Sequence, residues 1–358
     1  MKRRRYLAPW GRAAAAWRAA GGGGKPADPE ALAALEGKPA LYHCVSRVVD
    51  RGFRLGPAEK EEMVRRMRVL EAFCQVRVLT FCIMSNHFHV LVEVPERPAE
   101  DPTDARLLEH LGILYGGRRL AGIRWELEQY RGQGHHAAAE ALRQRFLRRM
   151  WDLSVFVGEW KNGFSRWYNR RARRKGYLWE ERFKSVLVEE GHAARVVACY
   201  IDLNPVRAGM VGDAGEYRWS GWGEAAAGGG KAREGIAAVM LERELGRTGP
   251  EAAVAAVSDR GKALAEYGRL LAEDAVRGGE VAGKAVRVSE AGLLRRRVRY
   301  FVDGLVIGTA GFVEGVFALT RERFPPGRSS GARRLAGVAT PLRAMRALKE
   351  GVSGGPAG

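Results

Sequence analysis

Cysteine is scarce in this chain: Cys44, Cys74, Cys82 and Cys199 are the only four in 358 residues, and no two form a Cys-x-x-Cys pair. That spacing argues against a zinc ribbon and a disulfide scaffold and fits a reducing compartment. Long apolar runs are missing too. No stretch approaches the roughly 20 residues that a membrane-spanning helix needs, so no membrane partner is expected. Acidic residues are in deficit, with 41 Asp and Glu against 60 Lys and Arg and a formal net charge of +19. Such an excess repels itself in a compact chain unless something anionic binds it, and nucleic acid is the commonest such partner. An anionic membrane surface would serve as well, and a GC-rich genome also inflates Arg, Ala and Gly.

The chain opens with the charged start of a signal peptide, but Arg12 and Arg18 interrupt its apolar segment. Residues 1–39 therefore read as a basic arm followed by a Gly, Pro and Ala-rich linker. From Ala40 the pattern changes, and 41–48 reads as a strand. Pro57 suits the first turn of a helix, which carries Met63, Val64, Met67, Leu70 and Phe73 at helical spacing. Residues 76–84 and 87–94 form two strands around a Ser85-Asn86 turn. In the second strand Phe88, Val90, Val92 and Val94 share one face, and His87, His89, Leu91 and Glu93 share the other.

Residues 97–150 are charged and helical in character and read as an insertion. Leu153, Phe156, Trp160, Phe164 and Trp167 mark the buried stripe of a long helix. A strand at 183–190 and a helix from His192 to Asn204 follow, the helix stopped by Pro205. The order β-α-β-β-α-β predicts an α+β fold: a ferredoxin-like antiparallel sheet with helices on one face and an added catalytic helix across the other. Residues 40–222 make up this domain. A Gly/Ala-rich stretch at 223–232 reads as a linker, and 233–358 as an Arg-rich helical region with a DNA-binding possibility. Within it, a basic helix around 293–301, with a capping candidate at Ser289 and a stop at Gly304, and a second around 312–324 suggest a helix-turn-helix-like pair. A plain helical hairpin packed on the core fits that pattern equally well.

Two residues apart on a strand, His87 and His89 project side by side, a spacing that suits two ligands on one divalent ion. Such pairs also arise by chance on solvent-facing strands. Tyr200 and Asn204 stand four apart on one helix face. Asn204 offers a hard carbonyl oxygen, although Asn is also an ordinary helix-ending residue and Tyr200 could be a core tyrosine.

Four blocks in order resemble a known family. They are Tyr42-His43-Cys44-Val45-Ser46-Arg47, then Met84-Ser85-Asn86-His87-Phe88-His89-Val90-Leu91-Val92, then Gly176-Tyr177-Leu178-Trp179-Glu180-Glu181-Arg182-Phe183-Lys184-Ser185, and Tyr200-Ile201-Asp202-Leu203-Asn204-Pro205-Val206-Arg207-Ala208-Gly209-Met210-Val211 with Tyr217-Arg218-Trp219-Ser220. Across about 40–222 the chain resembles the HUH single-tyrosine transposases, within them the REP-associated tyrosine transposases. The resemblance implies His87 and His89 as the metal-binding pair, Tyr200 as the nucleophile and Asn204 as the residue completing the metal site. It implies cleavage and rejoining of single-stranded DNA through a 5′-phosphotyrosine, at palindromic elements that fold into hairpins. A phenol with a pKa of about 10 is a poor nucleophile at neutral pH, so a cation on the scissile phosphate is expected, Mg or Mn. The insertion at 97–150 is longer than this part of the family usually is.

The stretch 166–184 interleaves cations with rings, the combination that single-strand binders use. Arg170, Arg171, Arg173, Arg174, Lys175, Arg182 and Lys184 are the predicted DNA contacts. Trp167 also fits the core, and the rings are left open between the two roles. A bacterial cytoplasmic, nucleoid-associated protein is expected, monomer or homodimer. Two other readings compete: a domesticated DNA-binding protein without catalytic role, and a metal-dependent phosphohydrolase that uses water in place of Tyr200. Glu189, Glu190 and Asp202 are candidate general acids.

Overall fold

A computed structural model describes residues 8, 35, 38–241, 250–276, 297–336, 340–348 and 352–353. Four strands form the frame: β1 (Ala40–Arg47), β2 (Arg77–Ile83), β3 (His87–Val94) and β4 (Lys184–Val188). They lie in the order β2-β3-β1-β4, and each neighbouring pair is antiparallel. Helix α1 (Pro57–Cys74) joins β1 to β2. Pro57 sits in its first turn, where the missing N–H costs nothing, and Gln75 ends it in the left-handed conformation, φ 54°. Three helices, α2 (Asp104–Leu111), α3 (Gly117–Gly132) and α4 (His136–Leu147), occupy the insertion. The long helix α5 (Leu153–Arg171) follows, its start fixed by Asp152 accepting the Val155 N–H at 2.9 Å.

Strand alternation divides the core in two. Tyr42, Cys44, Phe81, Phe88, Val90 and Val92 turn to one face and pack against Met63, Met67 and Phe73 of α1 and Phe156, Trp160 and Phe164 of α5. Leu41, Leu79, Cys82, Leu91 and Val186 turn to the other. This second face is covered by α6 (His192–Asp202), the short helix α7 (Asn204–Arg207), α8 (Gly221–Ala226), α9 (Gly230–Met240) and α10 (Pro250–Val276). The fold is thus α+β, a mostly antiparallel sheet with helices on both faces. The expectation of helices on one face, with a single added helix on the other, underestimates the second layer.

The C-terminal part also departs from a purely helical region. After strand β5 (Arg297–Val298) and one helical turn, α11 (Tyr300–Asp303), strand β6 (Val306–Gly308) enters the main sheet parallel to β4. Helix α12 (Ala310–Leu319) follows, and β7 (Arg333–Arg334) and β8 (Arg343–Ala344) extend the order to β2-β3-β1-β4-β6-β8-β7. β5 pairs instead with β9 (Val352–Ser353). The segment read as the turn of a helix-turn-helix is therefore a sheet strand; Ser289 and residues 293–296 lie outside the described residues. Val306 and Ile307 are buried, which is why a β-branched run goes to the sheet.

The stretch read as a linker is the end of α8 and the start of α9, joined by a turn at 227–229. Glycines flanking it on either side permit contact: a Cβ on Gly221 would stand 2.0 Å from Thr80 Oγ1, and one on Gly235 would stand 2.4 Å from the Leu79 carbonyl. Small residues here let α8 and α9 lie directly on the β2 backbone. Pro205 likewise does not end the helical path, because it occupies the first turn of α7. No described helix is long and apolar enough to cross a membrane.

Candidate active site

At the β2–β3 turn the Met84 N–H bonds the His87 carbonyl at 2.8 Å. The register sets Arg47 of β1 opposite His87 and Val45 opposite His89. Directly opposed residues share a face, so period two brings His43 to the same side. There His43 Nε2 lies 2.9 Å from His89 Nδ1, and His43 Nδ1 lies 2.7 Å from the Phe301 carbonyl oxygen. The His87 Nδ1 meets Asn86 Oδ1 at 2.6 Å.

Helix α6 lays Tyr200 over this group. Its ring centroid is 6.1 Å from His89 and 6.3 Å from His43, both edge-on. Phe301 stands 4.8 Å from the other side, and the Arg207 guanidinium stacks 4.1 Å over the ring while donating to the Tyr200 carbonyl at 2.7 Å. His87, His89 and Tyr200 therefore lie in one group. The Asn204 amide nitrogen donates to the carbonyls of Tyr200 and Ile201 at 3.2 and 3.1 Å, where α6 passes into α7. No described contact links it to the imidazoles.

Burial dominates the electrostatics. The His87 pKa falls to about 3, first through burial and then through the positive charges of Arg47, Arg297 and Arg207. His89 is held well below the usual range by burial and by its neighbours His87, His43, Arg207 and Arg47. Both rings are neutral at neutral pH, the form a metal ligand needs. Arg47 and Arg207 act on both rings and Arg297 on His87, a concentration of positive charge suited to a phosphate.

In both rings Nδ1 is engaged, so the opposite nitrogen, Nε2, is the one placed to bind an ion. Among the described residues no three His, Cys, Asp or Glu side chains form a metal cage. The pair fits an open site whose further ligands would come from an amide, water or a substrate oxygen, and does not fit a closed zinc cage.

No family model matches the chain, and no curated protein matches it. A solved structure of a REP-associated tyrosine transposase bound to a REP hairpin is similar to it. That similarity spans 53% of this chain and 81% of the other at 13% identity, with a TM-score of 0.31. A likeness this distant transfers no activity.

Of the predicted DNA contacts, Arg170, Arg171, Arg173, Lys175 and Arg182 are exposed, and Arg171 reaches Glu59 at 3.7 Å. Arg174 and Lys184 are half-buried. Arg174 donates to the Tyr177 carbonyl at 3.1 Å, and Lys184 lies 3.3 Å from an Asp303 carboxylate oxygen. The rings left open divide: Trp167, Tyr168 and Trp179 pack on the core, whereas Tyr177 is 90% exposed. This segment adjoins the site, since the Glu180 N–H bonds the Arg47 carbonyl at 3.0 Å.

The candidate acids lie elsewhere. Asp202 faces away from Tyr200, accepting from Thr80 at 2.8 Å, Tyr267 at 2.6 Å and the Trp222 N–H at 3.0 Å. Glu189 accepts from Thr309, and with Glu190 it lines a separate cavity of about 390 Å³. Sequence reasoning assigned no role in this site to His43, Arg47, Arg207, Arg297 or Phe301, the last two being read only as part of a basic helix. The first three lie inside the motif blocks, and strand periodicity would mark His43 and Arg47 once β1 is aligned with β3. Nothing local marks Arg297 or Phe301, which arrive through the tertiary fold.

Proposed function

We propose that this protein is a transposase-like endonuclease that cleaves and rejoins single-stranded DNA with Tyr200 as nucleophile. The observation that carries this reading is the meeting of the Tyr200 ring with the His89 and His43 rings, with the Arg207 guanidinium stacked on the phenol. The antiparallel order β2-β3-β1-β4 supports a ferredoxin-like core within residues 40–222, to which the C-terminal part adds Phe301 and Arg297. In the proposed step Tyr200 Oη forms a bond to phosphorus and the P–O3′ bond breaks. The 5′ phosphate stays on the tyrosine and a 3′ hydroxyl is released; reversal of the step rejoins the strand. Arg47, Arg207 and Arg297 would orient the phosphate and offset its growing charge. His87 and His89 would hold a divalent ion, Mg or Mn, with the Asn204 amide oxygen completing the site. When bound, the ion would stabilise the charge on the phosphoryl oxygens. The exposed cations between Arg170 and Arg182 would track the backbone of the strand, with a hairpin-forming element as the expected target.

One observation favours a second reading, a DNA-binding protein without catalytic role. Tyr200 is only 3% exposed, held between Phe301 and Arg207. One experiment separates the two. The protein is incubated with labelled single-stranded oligonucleotides and Mn²⁺, and a denaturant-resistant adduct is sought. The proposal expects an adduct that Tyr200→Phe abolishes. Binding without adduct or cleavage supports the second reading, and an adduct surviving in Tyr200→Phe removes Tyr200 as nucleophile.

A further inference from the structure

His43 takes no part in the chemistry proposed above, yet it is buried at the centre of the site and touches both Phe301 and His89. Its protons can be placed from its partners. A carbonyl oxygen only accepts, so the contact with Phe301 puts a hydrogen on His43 Nδ1. A buried ring with no described carboxylate partner stays neutral, because an uncompensated charge there is costly. Its Nε2 is then an acceptor, and the 2.9 Å contact must be filled by a hydrogen on His89 Nδ1. With that hydrogen on Nδ1, the lone pair of His89 is on Nε2. The two rings lie nearly parallel, 5.1 Å apart at 20°, which also fixes the plane of His89.

His87 is set in the same way by a different device. Asn86 donates its amide nitrogen to the Arg51 carbonyl at 3.1 Å, so its oxygen faces His87 and accepts the hydrogen on Nδ1. One ligand is oriented by its sequence neighbour, the other by a chain of contacts running from Phe301 through His43.

We infer that His43 is a positioning residue that holds His89 as the Nδ1–H tautomer with Nε2 presented to a divalent ion, and that the Phe301 backbone, from the C-terminal part, anchors it. This rests on the metal-binding reading of His87 and His89. It also gives the C-terminal part a role in the site that does not involve contact with DNA. Groups that orient a ligating imidazole typically contribute 10–100-fold to metal affinity.

The test uses the full chain and Mn²⁺ alone, titrated by electron paramagnetic resonance, with thermal melting in parallel. In His43→Asn the amide nitrogen takes the place of Nδ1, keeping the Phe301 bond and losing His89. In His43→Gln the amide oxygen reaches the place of Nε2 and can accept from His89. The expected result is Mn²⁺ affinity reduced about 10–100-fold in His43→Asn and largely rescued in His43→Gln, without a matching pattern in melting temperature. Equal affinity in wild type and His43→Asn, alongside loss in His89→Ala, overturns the role of His43. Unchanged affinity in His89→Ala overturns the metal reading itself. Nitrogen-15 spectra of labelled histidines in the metal-free wild type give an independent decision. His89 with Nε2 unprotonated is expected, and a hydrogen on Nε2 overturns the inference whatever the variants do.

Discussion

The Tyr200 ring stands edge-on to the His89 ring, with centroids 6.1 Å apart at 84°. One comes from the helix after the last strand of the frame, the other from the β2–β3 hairpin. Their meeting depends on α6 crossing the face of the sheet to which His87 and His89 point. Arg207 follows from the same geometry, because α7 continues the helical path and returns its guanidinium over the phenol.

Arg207→Ala should cut strand cleavage by two orders of magnitude or more, about 3 kcal/mol of transition-state stabilisation, while oligonucleotide binding falls less. Arg207→Lys should recover little, since an ammonium cannot both stack on Tyr200 and donate to its carbonyl as the planar fork does. Single-turnover cleavage assays check both, and a lysine variant with wild-type rates would refute the stacking role.

The exposed basic run should set the salt dependence of binding. Replacing Arg170, Arg173 and Lys175 together with alanine removes up to three phosphate contacts. The slope of log K against log salt should then become shallower by about 2, at roughly 0.7 per contact for a single strand. Fluorescence titrations between low and moderate salt measure it; an unchanged slope places the strand elsewhere.

Two buried groups pull acid stability in opposite directions. Burial lowers the His43 pKa to about 4, against the hydrogen bond to the Phe301 carbonyl, which raises it. The native state therefore binds fewer protons than the unfolded chain between about pH 4 and 6.5. The stabilisation from this group is complete above 6.5 and is lost as pH falls, about 3 kcal/mol in all. Burial raises Asp202 to about 6 despite its hydrogen bonds. Its contribution has the opposite sign, present below about pH 4 and lost as pH rises through 6. In urea denaturation across pH 4–7, His43→Asn should flatten the loss on the acid side, and Asp202→Asn should remove the loss on the neutral side.

Asp202 also allows a substitution pair of contrasting size. An asparagine can keep the Trp222 N–H on its oxygen and donate to the Thr80 and Tyr267 hydroxyls, which rotate to accept. An alanine leaves those groups buried without partners. Asp202→Ala should cost about 3 kcal/mol or more at pH 7 and Asp202→Asn much less, read from urea midpoints.

Glycines in two helices should respond with opposite signs. At Gly158 of α5 an added Cβ meets nothing within 4 Å, so Gly158→Ala should stabilise by up to about 1 kcal/mol. At Gly235 of α9 the same Cβ would press 2.4 Å from the Leu79 carbonyl and 2.7 Å from that of Val78. Overpacking there outweighs the helix preference, and Gly235→Ala should cost about 1–3 kcal/mol. Melting curves of the two variants check the contrast.

Local pattern determined much of this protein by itself. The alternation in 87–94 separates Phe88, Val90 and Val92 from His87 and His89, because strand side chains alternate faces whatever lies beyond them. Pro57 and the stripe from Met63 to Phe73 placed α1, because helical spacing and a proline at the first turn are local properties. Tyr200 and the histidine pair were legible from the motif blocks. Only the tertiary structure decided the rest. Composition suggested a linker at 223–232, where two helices instead meet at a short turn and the flanking Gly221 and Gly235 serve close contact with β2, and suggested a helix-turn-helix across 293–324, where a three-residue strand joins the sheet. Neither is visible locally, since a glycine needed for space looks like one needed for freedom, and a strand that short carries almost no periodicity. The site shows the same limit. His43 had a place in the sequence but no partner, Arg207 was assigned nothing, and Phe301 and Arg297 were read only as part of a basic helix, because hydrogen bonds and charges act through distances in space that residue spacing does not encode.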